Sequence, residues 1–397
     1  MTFDPITRRM ERPTPQRRRQ RLDRVAAGFS LTEILIALVL GLVIIAALSQ
    51  LYTGTKRTYG LSDAITRINE NGRFAVDFIT TDVRMAGYLS CGGSSARIAN
   101  TINGGGKWFF QTGGLEGYEG GVDTPAFADD DETDIDEKGA PVPADLQNIL
   151  PGTDILVIRR ATLDMGQQVL QDDTATHGIT LDANHGFMPG EILVISNPSC
   201  TQASLFQVTG TLAIDPDAGT GGIKYGAVAS DENPPDPGNC TDRLFGSFDC
   251  NSLVYAESDT FRSESMVTPF IAHAYYVANT NPPALARKRL IQINRQAKIL
   301  SEELIQDVED FQILYGFDTV ADSNHQVDAY LTADQVTDWR RVISVHFALL
   351  MRSSEEHVRT ADASPNFALP GKTVTLAGDR RLHRSFGSLV AVRNQLP

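Results

Sequence analysis

An apolar run near the N-terminus constrains this chain more than any other feature. It covers residues 29–51, FSLTEILIALVLGLVIIAALSQL, and carries a single charged side chain, Glu33. A helix needs about 20 apolar residues to cross a bilayer, so this run is long enough to span. We therefore predict a transmembrane helix over residues 29–52.

The segment before this run, residues 1–28, is a basic leader with eight arginines against three acids. Positive charge directly before an apolar span holds that end in the cytoplasm, so we expect a cytoplasmic N-terminus and a head on the other side of the membrane. The run is longer than the core of a secretory signal and is not followed by a small-residue cleavage site, so we expect it to be retained. The chain as a whole carries a net charge of −14, and its acidic head should repel nucleic acid.

A second helical pattern continues the first over residues 53–90. Apolar or small residues recur there at spacings of three and four: Leu61, Ile65, Ile68, Gly72, Ala75, Ile79, Val83 and Ala86. This is the stripe of an amphipathic helix, and most charged residues, Asp82 among them, are expected off it. The two halves form one long helix, or an anchor followed by a separate soluble helix.

The remainder, residues 91–397, reads as a β-rich globular head. Gly-, Asp- and Pro-rich stretches at 91–150 and 215–250 predict long loops. Short alternating runs such as EILVIS and FIAHAYYVA predict strands, and residues 301–317 predict a helical interlude. The chain is thus expected to be of the α+β class, with an antiparallel sheet beside its helix.

Four cysteines, Cys91, Cys200, Cys240 and Cys250, all follow the span and would face an oxidising compartment. Four cysteines allow three pairings. The short segment between Cys240 and Cys250 suits a local disulfide, which would leave Cys91 to pair with Cys200. No C-x-x-C spacing or finger-like histidine supports a zinc site.

The sequence matches none of the motifs for catalysis or cofactor binding that we considered, so we expect no enzyme activity, no cofactor and no metal. Gly371–Thr373 reads GKT but lacks the upstream glycine of a phosphate-binding loop. His346 lies in a strand-like run without metal-ligand spacing. The acidic residues 129–138 lack the glycine and terminal glutamate of a calcium loop, and residues 215–222 read as a turn.

Glu33 is the one polar feature that asks for a functional explanation. An acid at the centre of a spanning helix costs about 2.5–3.5 kcal/mol, and less near its start. One explanation is an interfacial acid tolerated by snorkelling. The other is a cationic partner: a cut between Gly28 and Phe29 would create an α-amino group at the same depth, which could pair with Glu33 of its own or a neighbouring chain. An intermolecular pair would fix the register between packed helices.

The segment GFSLTEILIALVLG resembles the class III signal of type IV prepilins. Gly28 matches the residue before the cut, Phe29 the new and N-methylated terminus, and Glu33 the fifth mature residue. The resemblance implies processing by a prepilin peptidase. The rest of the chain resembles the PilW family of large minor pilins, in NENGRFAVDFITTDVRMAGYLSCGG, NPSCTQASLFQVT, LIQDVEDFQILYGFD and RRLHRSFGSLVAVRN.

This resemblance implies a type IV pilin fold and a place in the tip complex that primes pilus assembly. Its implied partners are the major pilin, other minor pilins, the inner-membrane assembly platform, a PilY-type tip adhesin, and membrane lipid before assembly. It implies a contribution to twitching, adhesion or DNA uptake. The alternatives are a minor pseudopilin of a type II secretion system, a membrane-anchored periplasmic enzyme, and an adhesin with a ligand pocket in the loop-rich inserts.

Changing Gly28 to arginine should block maturation, because a bulky charged residue would occupy the position before the cut. Immunoblotting of cells that express the peptidase should show only the full-length precursor for Gly28→Arg, beside a shorter band for the unmodified chain. A mature-size band from the variant would contradict the assigned signal.

Overall fold

The computed structural model describes most of the chain after the leader. The described residues are 30–90, 97–103, 107–120, 148–162, 164–227, 236–246, 250, 260–319, 326–356, 358–359, 364–376 and 378–395. The chain divides into two compact units, Met1–Thr58 and Tyr59–Pro397. The predicted cleavage residues Gly28 and Phe29, Cys91 and the acidic loop 129–138 lie outside the described residues.

The first unit contains the start of the helix α1, which as a whole runs over Leu31–Met85. By its length and composition, the apolar part of this helix can cross a membrane. Its large apolar side chains are exposed, as expected for a surface that lipid or other helices would cover. Because α1 is one uninterrupted helix, the alternative of an anchor followed by a separate helix is wrong.

In the second unit, α1 presents one face to the head. The buried residues on this face are Ile68, Gly72, Ala75, Ile79, Asp82 and Val83. The apolar stripe predicted from the sequence is therefore buried from Ile68 onward, whereas Leu61 and Ile65 remain exposed. Asp82, which is buried on this face, is an exception to the prediction that the charged residues fall mostly off the stripe.

Nineteen strands follow α1 in the described part of the chain. They are β1 Arg97–Asn100, β2 Leu115–Tyr118, β3 Ile155–Ala161, β4 Gln167–Gln168, β5 Gln171–Asp173, β6 Gly178–Asp182, β7 Ile192–Ser196, β8 Gln202–Gln207, β9 Gly210–Asp215, β10 Thr220–Lys224, β11 Met266–Ala278, β12 Ala284–Ile293, β13 Gln296–Gln306, β14 Val308–Phe317, β15 Ala329–Leu331, β16 Val342–Arg352, β17 Asn366–Leu369, β18 Lys372–Thr375 and β19 His383–Ala391. Short 3-10 turns occur at Ala333–Gln335, Trp339–Arg341 and Arg393–Gln395.

These strands form three sheets and a hairpin. Within the described ranges, a nine-stranded sheet has the order β1-β8-β7-β11-β12-β13, with β2, β3 and β4 joined at its side. Two four-stranded sheets have the orders β5-β6-β10-β9 and β15-β14-β16-β19, and β17 pairs with β18. The β1–β8 pair is parallel, so the head is mixed rather than purely antiparallel.

The core joins α1 to two of the sheets. Ala75, Ile79 and Val83 of the helix pack in one cluster with residues of β3 and β11 from the nine-stranded sheet and of β14, β16 and β19 from a four-stranded sheet. The opposite face of the nine-stranded sheet packs on an aromatic cluster at Trp108–Phe110. A separate cluster fills the lobe built around β6 and β10.

Strand β11 pairs with different strands along its length. Its first residues, Met266–Pro269, pair with β7, and Phe270–Tyr275 pair with β3. From His273 onward it also pairs with β12. Alternate side chains go to opposite faces, so Tyr275 lies in the core beneath α1 while Tyr276 lies in the aromatic cluster.

The predicted helix at 301–317 is wrong, because this segment forms the end of β13 and all of β14. Asp307 separates the two strands with a left-handed backbone, φ 64°. Leu304, Val308 and Phe311 suggested a helical face, but the pattern that decides the structure is the alternation of Phe311, Ile313, Tyr315 and Phe317, all buried. A period of two places all four on one face of a strand.

Gly72 allows β19 to approach the helix closely. A Cβ atom at this position would lie 2.5 Å from Cδ2 of Phe386. The same strand is tied to α1 further along by Arg384, whose Nη1 donates to Oδ1 of Asn69 at 2.6 Å. The aromatic ring thus occupies the space that a side chain on the helix would need.

Gly72→Ala should lower the stability of the head by about 1–3 kcal/mol, the usual cost of overpacking a filled core. The matched control is Gly60→Ala on the same helix, where an added Cβ meets nothing within 4 Å. That control should gain up to about 1 kcal/mol from better helix propensity. Thermal unfolding of both full-length variants in detergent would test the contrast, and equal shifts would contradict it.

Candidate assembly site

The N-terminal end of α1 is closed by a pair of reciprocal hydrogen bonds. The backbone N–H of Ser30 donates to Oε2 of Glu33 at 2.9 Å, and the backbone N–H of Glu33 donates to Oγ of Ser30 at 3.2 Å. Serine followed three residues later by glutamate is a capping box, which satisfies two of the free N–H groups at a helix start. The sequence contained this signal, S-L-T-E, but the prediction for Glu33 did not use it.

The cap places the Glu33 carboxylate beside the backbone of the residue that follows Phe29. A helix N-terminus also favours negative charge, because its free N–H groups carry partial positive charge. Glu33 therefore has a local structural role in addition to the assembly role predicted for it. Its predicted partner, the amino group of Phe29, lies outside the described residues.

A second polar cluster lies where α1 meets the sheet. Asp82 is only 5% exposed. Its Oδ1 accepts from Arg160 Nε at 3.1 Å and Nη2 at 2.8 Å. Its Oδ2 contacts His273 Nδ1 at 2.6 Å and accepts from the Tyr275 hydroxyl at 2.5 Å. One carboxylate on the helix thus binds side chains from both β3 and β11.

The protonation states in this cluster follow from burial and from these contacts. Burial alone would raise the pKa of Asp82, but hydrogen bonding to His273, the Arg160 charge and the Tyr275 hydroxyl hold that pKa well below its usual range. Burial lowers the pKa of His273, so its ring is neutral at pH 7. An ionised carboxylate only accepts hydrogen bonds, so Nδ1 of His273 carries the proton.

A second pair lies next to this cluster on β12 and β13. The guanidinium of Arg287 lies 6.0 Å from the centre of the Tyr275 ring. Its Nε donates to Oε1 of Glu302 at 2.7 Å, and Arg289 Nε lies 3.4 Å from the other oxygen. Glu302 of β13 is thus paired with two arginines of β12, beside the cluster around Asp82.

Arg159, the residue before Arg160, points to the other face of the sheet. Its side chain is 1% exposed and forms an ion pair with Glu116. It also donates to the backbone carbonyls of Trp108 and Gly113, the latter at 2.7 Å. Adjacent arginines therefore anchor the helix on one face of β3 and the loop before β2 on the other.

The structure contains the predicted disulfide between Cys240 and Cys250, with a Cα–Cα distance of 5.8 Å. Cys200 is also disulfide-bonded. Its predicted partner, Cys91, lies outside the described residues. Strand β1, which begins six residues after Cys91, pairs in parallel with β8, which begins two residues after Cys200.

The remaining candidates from the sequence fall on separate parts of the head. Gly371 is in the turn between β17 and β18, and His346 is exposed on β16. Asp215 accepts hydrogen bonds from the backbone of the turn that leads to β10, as the turn prediction requires. Over the described residues, no group of three or more His, Cys, Asp or Glu side chains could hold a metal ion.

A comparison with protein families finds one match, to the C-terminal part of the chain. Residues 274–394 match the family model for PilW, type IV pilus-assembly protein W. This match relates the C-terminal part of the head to the PilW family. The matched region begins in β11, next to His273, and extends through β19. No curated protein and no solved structure matches the chain. The description of the matched family relates this region to type IV pilus assembly.

The sequence analysis missed Asp82 as an anchoring residue. The signal was present, because Asp82 follows the buried Ile79 by three residues and therefore lies on the same helical face. Its partners come from segments 78 and 191 residues away along the chain. Such distant pairs cannot be recognised from the spacing of residues in one segment.

Asp82→Asn should destabilise the head by about 3–5 kcal/mol, because Arg160 loses its buried counter-ion. A carboxyl with a lowered pKa stabilises the fold above its unfolded pKa, and that contribution is lost as the pH falls below about 4. The unmodified chain should therefore lose stability on acidification more steeply than Asp82→Asn. The control, Asp77→Asn on the exposed face of α1, should stay within about 0.5 kcal/mol and keep the steep dependence. Identical acid dependence in the two variants, measured by thermal unfolding, would contradict this role.

Proposed function

We propose that this chain is a minor pilin of a type IV pilus, within the tip complex that primes assembly. The PilW match over residues 274–394 carries the proposal. A single apolar helix at the N-terminus supports membrane anchoring before assembly. A chain of 397 residues is too large for a repeating shaft subunit, which favours a capping position.

In this proposal a prepilin peptidase cuts between Gly28 and Phe29 and N-methylates Phe29. The chain first sits in the inner membrane with its N-terminus in the cytoplasm and its head in the periplasm. It then moves to the pilus tip, where the apolar part of α1 packs against the helices of other subunits. The exposed apolar residues of the first unit supply that packing surface.

The partners we propose are the major pilin, the other minor pilins, the inner-membrane assembly platform and a PilY-type tip adhesin. The role is structural and includes no catalytic step. Through the pilus, the chain would contribute to twitching motility, adhesion or DNA uptake. A minor pseudopilin of a type II secretion system shares the same N-terminal pattern, but the matched family is described by type IV pilus assembly, which favours the pilus.

The mass of the mature N-terminal peptide tests the proposal. Pili sheared from cells and digested should yield a peptide that begins with N-methylated Phe29. Recovery of the chain only with its leader intact, or with an unmodified N-terminus elsewhere, would contradict it.

Substitutions of Glu33 separate its two roles. Glu33→Ala should leave cleavage largely intact but impair N-methylation or incorporation into pili, because it removes both the cap and the charge. Glu33→Gln keeps an oxygen that can accept the Ser30 N–H bond and removes only the charge.

If the charge sets the register, Glu33→Gln should show the same loss as Glu33→Ala. Piliation would be counted by electron microscopy in a strain without other priming pilins. Normal piliation by both variants would refute the register role, and loss in Glu33→Ala alone would assign the effect to the cap.

A further inference from the structure

Within the described residues, strand β19 is an edge strand of its sheet and has a defined set of outward-facing groups. It pairs with β16 along its whole length without a register shift, and no described strand lies on its other side. The N–H of Ser353 donates to the carbonyl of Leu382, and the N–H of Val392 donates to that of Ile343. Hydrogen-bonded pairs alternate along two antiparallel strands. These two bonds therefore show that every second residue of β19, counted from Leu382 to Val392, is hydrogen-bonded to β16 and that the residues between them are not. The backbone groups that point outward are those of Ser385, Gly387, Leu389 and Ala391.

This edge lacks the protection seen on another long edge of the head. Strand β13 carries Lys298, Glu302 and Glu303, and its residue Ala297 already donates to the carbonyl of Asp236. Between Ser385 and Ala391, β19 has no charged residue and no proline. Leu389 is 59% exposed there. Soluble proteins usually block long uncharged edges because such edges recruit other strands.

A groove runs beside the edge, between β19 and the helix. Its volume is about 980 Å³, and it is lined by α1 residues from Thr66 to Arg84 and by β19 residues from Phe386 to Ser388. Phe74, on its helical wall, is 53% exposed. Two arginines and two acids line the groove, so their charges balance. The groove therefore selects a ligand by apolar contact with Phe74 and Phe386.

We propose that β19 binds an extended segment of another pilus subunit as an added strand, with apolar residues at alternate positions entering this groove. The backbone groups of the edge would supply hydrogen bonds, and the groove would select the side chains. A second copy of this chain is a poorer occupant, because residues 29–397 carry a net charge of −19 and two such molecules repel each other. The inference rests on the proposed role in a pilus.

Two variants at one position test the backbone contact. Leu389→Pro removes an outward N–H and leaves the bonds to β16 in place, as edge prolines do. Leu389→Ala keeps that N–H and removes only the side chain. Each full-length variant would be co-expressed with the individually tagged major and minor pilins of the same pilus and purified in detergent, with thermal unfolding as a check on the fold.

We expect at least one of these pilins to co-purify with the unmodified chain. Leu389→Pro should reduce its recovery about tenfold, as the loss of a hydrogen bond and the local fit would, and Leu389→Ala should reduce it less. Hydrogen exchange of Gly387, Leu389 and Ala391 amides should slow in the complex, while that of Ser301 on β13 should not.

Equal recovery with both variants would overturn the strand contact, as would unchanged exchange on β19. Binding of only a second copy of this chain, or of no pilin at all, would overturn the partner assignment. These failures are distinguishable from failure of the proposed function, because methylation of Phe29 is measured independently of β19.

Discussion

The buried carboxylate of Asp82 is the contact on which the arrangement of helix and head depends. A charge taken out of water is costly unless hydrogen bonds and a counter-ion replace the lost solvation. Asp82 obtains both from Arg160 of β3 and from His273 and Tyr275 of β11. Apolar packing would tolerate small slips of the helix along the sheet, but displacement by one residue would leave this charge without partners. The polar cluster therefore sets the register, and the surrounding apolar residues supply most of the stabilisation.

Local periodicity predicted much of this fold. The apolar run and the stripe from Ile68 to Val83 predicted α1, because lipid and the head each impose a helical period on the sequence. Strands such as β7 and β16 were predicted from short runs of β-branched and aromatic residues. Residues 301–317 misled because Leu304, Val308 and Phe311 fit a helical spacing. The turn at Asp307 and pairing with β12 and β16, which are contacts distant in sequence, select strands instead.

The same difference between local and distant contacts decides which residues of the candidate site could be predicted from the sequence. Glu33 was recognisable because its unusual position in an apolar run is visible in a few residues, and its cap to Ser30 is equally local. The Asp82 cluster was not recognisable, since its members only meet after the sheet has formed. The free edge of β19 is a property of topology: the sequence RSFGSLVA predicts a strand but does not show which neighbours it has.

The long strand β11 has a mechanical consequence for the head. Its first half pairs with β7, beside the lobe built around β6 and β10, and its second half carries His273 and Tyr275 to the helix. Consecutive paired residues of a strand have little torsional freedom. The part of β11 that pairs with β7 is therefore joined to the part that contacts the helix by paired backbone and not by a flexible linker. A pull on α1 is therefore passed directly into the backbone that supports the lobe. A head built this way transmits tension without a joint that could bend.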